Sequence, residues 1–196
     1  MRIQALMAGA AMAIVASAAA VSANAAELVT NGSFETGNLS GWTLTGNTGF
    51  SAFSSVVDST LNGGQHAYQN GALGTDGIIN QTVATVAGQA YEYSFWLMNF
   101  APGDNDFTAS LGGVVLQSFV DSAAFSFTHF TGSVVAATNN ATLSFAFRNE
   151  PSYWQIDDIS LAGVPEPASW ALMITGFMGV GAAIRANRRR QAALAA

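Results

Sequence analysis

The chain has 196 residues, half of them hydrophobic, with 12 acidic residues against 6 basic ones and no cysteine. That length allows one ordinary domain, the missing cysteines exclude disulfides and thiolate metal sites, and the acidic balance opposes attraction to nucleic-acid phosphates. The charge is also unevenly placed: there is no lysine, and between positions 26 and 163 eleven acids face Arg148 alone.

The N-terminus reads as an export signal. Arg2 precedes an apolar stretch from Ala5 through Ile14 and Val15 to Val21, and Ala23-Asn24-Ala25 supplies small residues for cleavage after Ala25. The run is short and ends in small residues rather than in a stop-transfer charge cluster, which argues against a spanning helix.

From residue 26 to 163 the pattern changes to period-2 alternation punctuated by Gly, Asn, Asp and Ser, with no helical stripe. Strands are predicted over 42–45, 49–57, 78–86, 90–98, 107–111, 114–119, 125–135, 141–147 and 154–161. So many short strands imply an all-β fold, an antiparallel jelly-roll β-sandwich. Along 91–97, Tyr91, Tyr93, Phe95 and Leu97 share one face, the predicted core face, with Glu92, Ser94 and Trp96 opposite. Leu143, Phe145 and Phe147 likewise alternate with Ser144, Ala146 and Arg148, which places Arg148 at the surface, free or paired with an acid. Turns are predicted at 62–64, 74–77, 101–105 and 138–140.

No nucleophile elbow, zinc-protease motif, P-loop or dinucleotide fingerprint occurs, and histidine is limited to His66 and His129. The expectation is a non-catalytic module. Aromatic rings suit pyranose faces while carboxylates and guanidinium bond hydroxyls, so Glu92, Trp96 and Arg148, all on predicted non-core faces, are the candidate ligand-binding residues. Trp42 and Trp154 are expected to pack at the sandwich ends, and a packing role for Trp96 stays open. Two other classes also stay open: a protein-binding adhesive module, and a secreted hydrolase whose carboxylate pair is unrecognised.

After the sandwich, Val164-Pro165-Glu166-Pro167 breaks the chain, residues 168–184 form an uncharged apolar run, and Arg185, Arg188, Arg189 and Arg190 follow. The run is marginally long enough to be a transmembrane helix, and the arginines would keep residues 191–196 on the cytoplasmic side. Pro165-Glu166-Pro167, then Trp170-Ala171, an apolar helix and an arginine cluster resemble the PEP-CTERM sorting segment in its P-E-P-x-x-W-A variant. That resemblance covers residues 164–190 and implies an exosortase as partner, a Gram-negative host, initial anchoring at the inner membrane and a final place on the outer surface or in an exopolysaccharide matrix. A plain membrane anchor is the alternative.

A second resemblance covers the middle of the chain. Leu28-Val29-Thr30-Asn31-Gly32-Ser33-Phe34-Glu35 with Gly41-Trp42 is similar to the opening of galactose-binding-like carbohydrate-binding modules, and Trp154-Gln155-Ile156-Asp157-Asp158-Ile159-Ser160-Leu161 to their closing strand. It implies a polysaccharide ligand and a structural calcium ion held by Glu35 and one of Asp157 or Asp158, the hard oxygen ligands calcium takes. Asp104-Asn105-Asp106 is a rival site that lacks the other EF-hand ligands and reads more simply as a turn.

Overall fold

A computed structural model describes residues 26–55, 64–164 and 169–194. The predicted export signal over 1–25 and the Pro165-Glu166-Pro167 break lie outside the described residues, as do the side chains of Trp170, Ala171, Arg188, Arg189 and Arg190.

Among the described residues, ten strands build two five-stranded antiparallel sheets. The first has the order β1 (Thr43–Gly46), β4 (Gly77–Thr82), β9 (Thr142–Glu150), β6 (Asp104–Leu111), β7 (Val114–Val120). The second has the order β2 (Ser51–Ser55), β3 (His66–Asn70), β10 (Trp154–Gly163), β5 (Ala90–Asn99), β8 (Phe125–Val135). Consecutive strands often lie in different sheets, as jelly-roll connections require. The last strand, β10, sits at the centre of the second sheet between β3 and β5.

The apolar phase of each strand decides what fills the space between the sheets. Phe95 and Leu97 of β5, Phe107 and Leu111 of β6, Phe145 and Phe147 of β9 and Trp154 and Ile156 of β10 are buried there. Their rings form a continuous cluster, with Phe107 5.4 Å from Phe147 and 5.5 Å from Trp154, in edge and tilted arrangements that aromatic quadrupoles favour. Trp42 and Trp154 both belong to this core, and the Trp154 indole N–H donates to the Arg148 carbonyl at 2.9 Å. At one end of the sandwich the buried amides of Asn99, Asn105 and Asn149 tie strand ends to loops. Asn105 donates to the Ser122 carbonyl at 2.9 Å, and Asn149 donates to Asn99 at 2.8 Å.

The structure departs from the sequence expectations in three strands, the first being β4, which stops at Thr82 where a strand to residue 86 is expected. β3 was not predicted because its Ala67, Tyr68 and Asn70 are all buried, so the strand shows no clean alternation. The turn expected over 101–105 closes two residues earlier, since β6 begins at Asp104 and puts Asp106 opposite Arg148 in β9. The rival cation site at Asp104-Asn105-Asp106 is thereby a strand with a buried asparagine in its middle, not a loop.

The sandwich lies within one compact unit, Asn24–Pro165. In the other unit, α1 (Ser169–Leu194) runs on past the predicted 168–184 span into the arginine-bearing segment. Among the described residues no helix is long and apolar enough to cross a membrane.

Candidate functional site

The outer face of the second sheet carries a shallow groove whose residues follow from strand register. Trp96 of β5 pairs with His129 of β8 on one side and Asp157 of β10 on the other. Two residues along β5, Ser94 lies between Thr131 and Ser160, and two further, Glu92 lies between Ser133 and Ala162. Aromatic, hydroxyl and carboxylate groups thus form three successive rows on one surface.

Two adjoining depressions of about 510 and 570 Å³ lie on this face and share Ser94, His129 and Ser160. The first is bounded by Glu27, Gly32, Asp158 and Trp96, the second by Glu92, Gly132 and Ala162. The Trp96 and His129 rings are nearly parallel, 19° apart, with centroids 4.7 Å apart, so cross-strand stacking fixes the indole as a flat platform. On the core side of β8, Gly132 makes room for the Tyr93 phenol of the neighbouring strand, which an added Cβ would strike.

A β-bulge in β10 shapes the other wall. Asp157 pairs with Trp96 but Ser160 with Ser94, so one extra residue is inserted, and Asp158 takes a left-handed φ of 47°. The inserted residue resets the alternation: Trp154 and Ile156 face the core before it, Ile159 and Leu161 after it. Ile159 N–H then donates to the Gly32 carbonyl at 2.9 Å, and only glycine fits at position 32, since a Cβ there would overlap the Ile159 carbonyl. Asp158 is left at the groove wall. Its carboxyl is raised by burial and by the Glu35 charge, and His129 acts in the opposite sense. Glu27 closes the rim, accepting from the Leu161 N–H at 2.9 Å and from the Ser160 hydroxyl.

Behind this wall lies the predicted cation group. Phe34 is fully buried yet has a φ of 53°, an unusual conformation for an aromatic residue, and that turn carries Glu35 to the start of β3. There Glu35 accepts from the backbone N–H groups of Gln65 at 2.9 Å and His66 at 3.0 Å, and its pKa is lowered chiefly by the His66 bond. Asp157 is 1% exposed and its carboxyl is pushed up to about 8 by burial, with the charges of Asp158 and Glu35 adding to the shift. A Cβ on Gly64 would lie 2.8 Å from Glu35 Oε1 and 3.9 Å from Asp157 Oδ2, so the two carboxylates converge on the bare backbone of that glycine. Asp157 shares the neighbourhood of Gly64 with Glu35, while Asp158, whose carboxyl the Glu35 charge also raises, lines the groove. Among the described residues no set of three or more His, Asp or Glu side chains has metal-binding geometry, so backbone carbonyls or water would complete any cation's shell.

Of the three residues proposed from sequence to bind ligand, Glu92 and Trp96 share this face. Arg148 does not. It sits on the outer face of the first sheet, its guanidinium bonded to Asp104 and Asp106, and is removed from the candidate set because those partners already occupy its charge. Ser94, His129, Ser160 and Glu27 line this face and were not among the sequence candidates, while Asp158, a sequence candidate for the cation, lines it as well. Alternation along β5 implied Ser94, but the neighbours of a strand can be read only once sheet order is known.

The two sheets form an antiparallel jelly-roll β-sandwich with a ring-bearing groove across the outer face of one of them. Residues 26–115 match the carbohydrate binding domain family. The fold is similar to TmCBM61 in complex with β-1,4-galactotriose, at a TM-score of 0.54 and 17% identity over 71% of this chain and 99% of that one. It is also similar to the CBM22-1–GH10 modules of a Clostridium thermocellum endo-1,4-β-D-xylanase complexed with xylohexaose, at a TM-score of 0.52 and 19% identity over 71% of this chain. The enzymatically active domain of tailspike protein 4 from bacteriophage CBA120 gives a TM-score of 0.56 at 17% identity over 70% of this chain. The chain spans 29% of the xylanase chain and 21% of the tailspike chain. At these identities the likeness is one of fold. No curated protein matches the chain.

Proposed function

We propose that the sandwich is a non-catalytic module that binds a polysaccharide chain along the outer face of its second sheet, with Trp96 as the platform for a sugar ring. The observation that carries this reading is the groove itself: a flat indole held by His129, with hydroxyls from Ser94 and Ser160 and a carboxylate from Glu92 on the same surface. Ring faces take up the apolar side of a pyranose while the flanking oxygens bond its hydroxyls. The family match and the oligosaccharide complexes of the similar structures support the same reading. Screening the full chain on a glycan array, beside Trp96→Ala, tests it. Retention of a defined oligosaccharide that the variant loses supports the reading, and binding to a protein partner alone, or turnover of a glycan, overturns it in favour of an adhesin or a hydrolase.

A structural calcium ion fits the chemistry of Glu35 and Asp157, two carboxylates that converge at one glycine and whose repulsion and desolvation a divalent cation would offset. Such an ion would tie the first segment of the domain to β10 and so hold the bulge that forms the groove wall. The reading of the chain as exported and exosortase-sorted to the surface or matrix rests on the sequence of residues 1–25 and 164–190. Intact mass of the protein recovered from cells, compared with a variant whose Pro165-Glu166-Pro167 is changed to alanines, tests it. Removal of both ends that depends on the tripeptide is expected, and an unprocessed C-terminus would reduce the tail to an anchor.

A further inference from the structure

The groove's ionisable side chains are carboxylates apart from His129, whose imidazole is stacked on Trp96. Glu92 stands at one end, and Asp158 and Glu27 border the other, while no arginine lines it and the sandwich contains no lysine at all. The arginine that the sandwich does have lies on the opposite sheet, bonded to Asp104 and Asp106. Glu27 is engaged by two backbone N–H groups and the Ser160 hydroxyl, so its acceptor capacity is largely used inside the protein. Glu92 is exposed, and Asp158 borders the depression beside Trp96.

Resting on the assignment of this face to a glycan, we infer that the ligand is a glycan bearing free amino groups, and that chains carrying uronate or other anionic sugars are rejected. The physical basis is the geometry of charge. Along β5, Glu92 and Trp96 are separated by four residues, ~13 Å of strand, so a chain stacked on the indole and running along β5 reaches Glu92, with Asp158 beside the indole. A protonated sugar amine there gains attraction and offers three donors to carboxylate oxygens that accept only. A uronate in the same place meets like charge from Glu92 and Asp158, with no guanidinium or ammonium among the lining residues and the His129 imidazole as their one basic group. The eleven acids of residues 26–163 add a long-range field of the same sign.

The test compares three hexasaccharides binding to the full chain near pH 6: a glucosamine hexamer, an N-acetylglucosamine hexamer and a galacturonate hexamer. The amine-bearing hexamer is expected to bind about tenfold more tightly than the neutral one at ~20 mM salt, with the ratio below about twofold at ~0.5 M salt, and the galacturonate hexamer not at all. Glu92→Gln, alone and with Asp158→Asn, should bring the amine-to-neutral ratio toward one. Asn tolerates the left-handed backbone at position 158, and the single variant leaves that turn untouched. Asp121→Asn, outside the groove, should leave the ratio unchanged. Equal binding of amine and neutral hexamers, binding of the galacturonate hexamer, or an amine preference that survives Trp96→Ala overturns the inference, the last showing bulk charge attraction only. Loss of every hexamer from the native protein would instead count against the glycan site itself.

Discussion

The two outer faces of the sandwich arise from the same alternation of strand side chains, yet one is internally satisfied and the other is not. On the first sheet, Arg148 lies directly across from Asp106 and also bonds Asp104, amid Ser144 and Ala146 of β9, and no ring rises from these central strands. On the second sheet, Trp96 and His129 form a flat pair, and Glu92 stands exposed with no arginine or lysine lining the groove around it. A face whose charges are paired holds the fold, whereas a face with a fixed ring and an exposed carboxylate leaves groups available, as the proposed ligand face requires. The distinction rests on who the cross-strand neighbours are rather than on composition, since both faces are mixed and polar.

The comparison can be broken first at the core that both faces share. Trp154 is fully buried beside Phe107, Phe119 and Phe125, so Trp154→Ala should cost ~3–5 kcal/mol in urea unfolding and weaken both faces together. A loss below ~1 kcal/mol would show that the sheets do not pack as described. Next, Trp96→Ala should remove about 2 kcal/mol of glycan binding, roughly thirtyfold in affinity, with a far smaller change in stability because the ring is partly exposed.

The pH dependence sharpens the account of the groove wall. With calcium chelated, Asp157 titrates at about 8 in the folded state against ~4 when unfolded, so the folded state holds the extra proton between these values. Stability should therefore fall as pH rises from about 4 to about 8, and Asp157→Asn should flatten that slope in thermal melts. Glu35 has the opposite sign: its lowered pKa gives stability that is present above the ordinary carboxylate range and is lost as pH falls. Calcium should restore stability at the upper end in the native protein and not in the Asp157→Asn variant. The smallest expected effect is that of Arg148→Ala, about 1 kcal/mol in stability from a partly exposed ion pair, measured by the same unfolding, with glycan affinity unchanged.

Much of the fold was legible because alternation was unbroken where strands have one wet face. β5 and β9 were read correctly to the residue face, Phe95 and Phe145 inward and Trp96 and Arg148 outward. β3 was not legible, since a short central strand with buried Ala67, Tyr68 and Asn70 leaves no period to detect. The bulge left a trace, an odd gap in the apolar phase between Ile156 and Ile159, which marks the extra residue without saying where it points. The site was half legible. Glu92 and Trp96 lie on one strand, so period alone joins them, but separating Arg148 from them and adding His129 and Ser160 needed the strand order, a long-range property that single-strand patterns do not encode.

The most direct test of the central claim is isothermal titration of the glycan retained on the array against three forms of the full chain: native, Trp96→Ala and Arg148→Ala. The account predicts tight binding by the native form and by Arg148→Ala, and a loss of about thirtyfold on Trp96→Ala alone. Unchanged affinity in Trp96→Ala with loss in Arg148→Ala would contradict it and move the binding face to the first sheet.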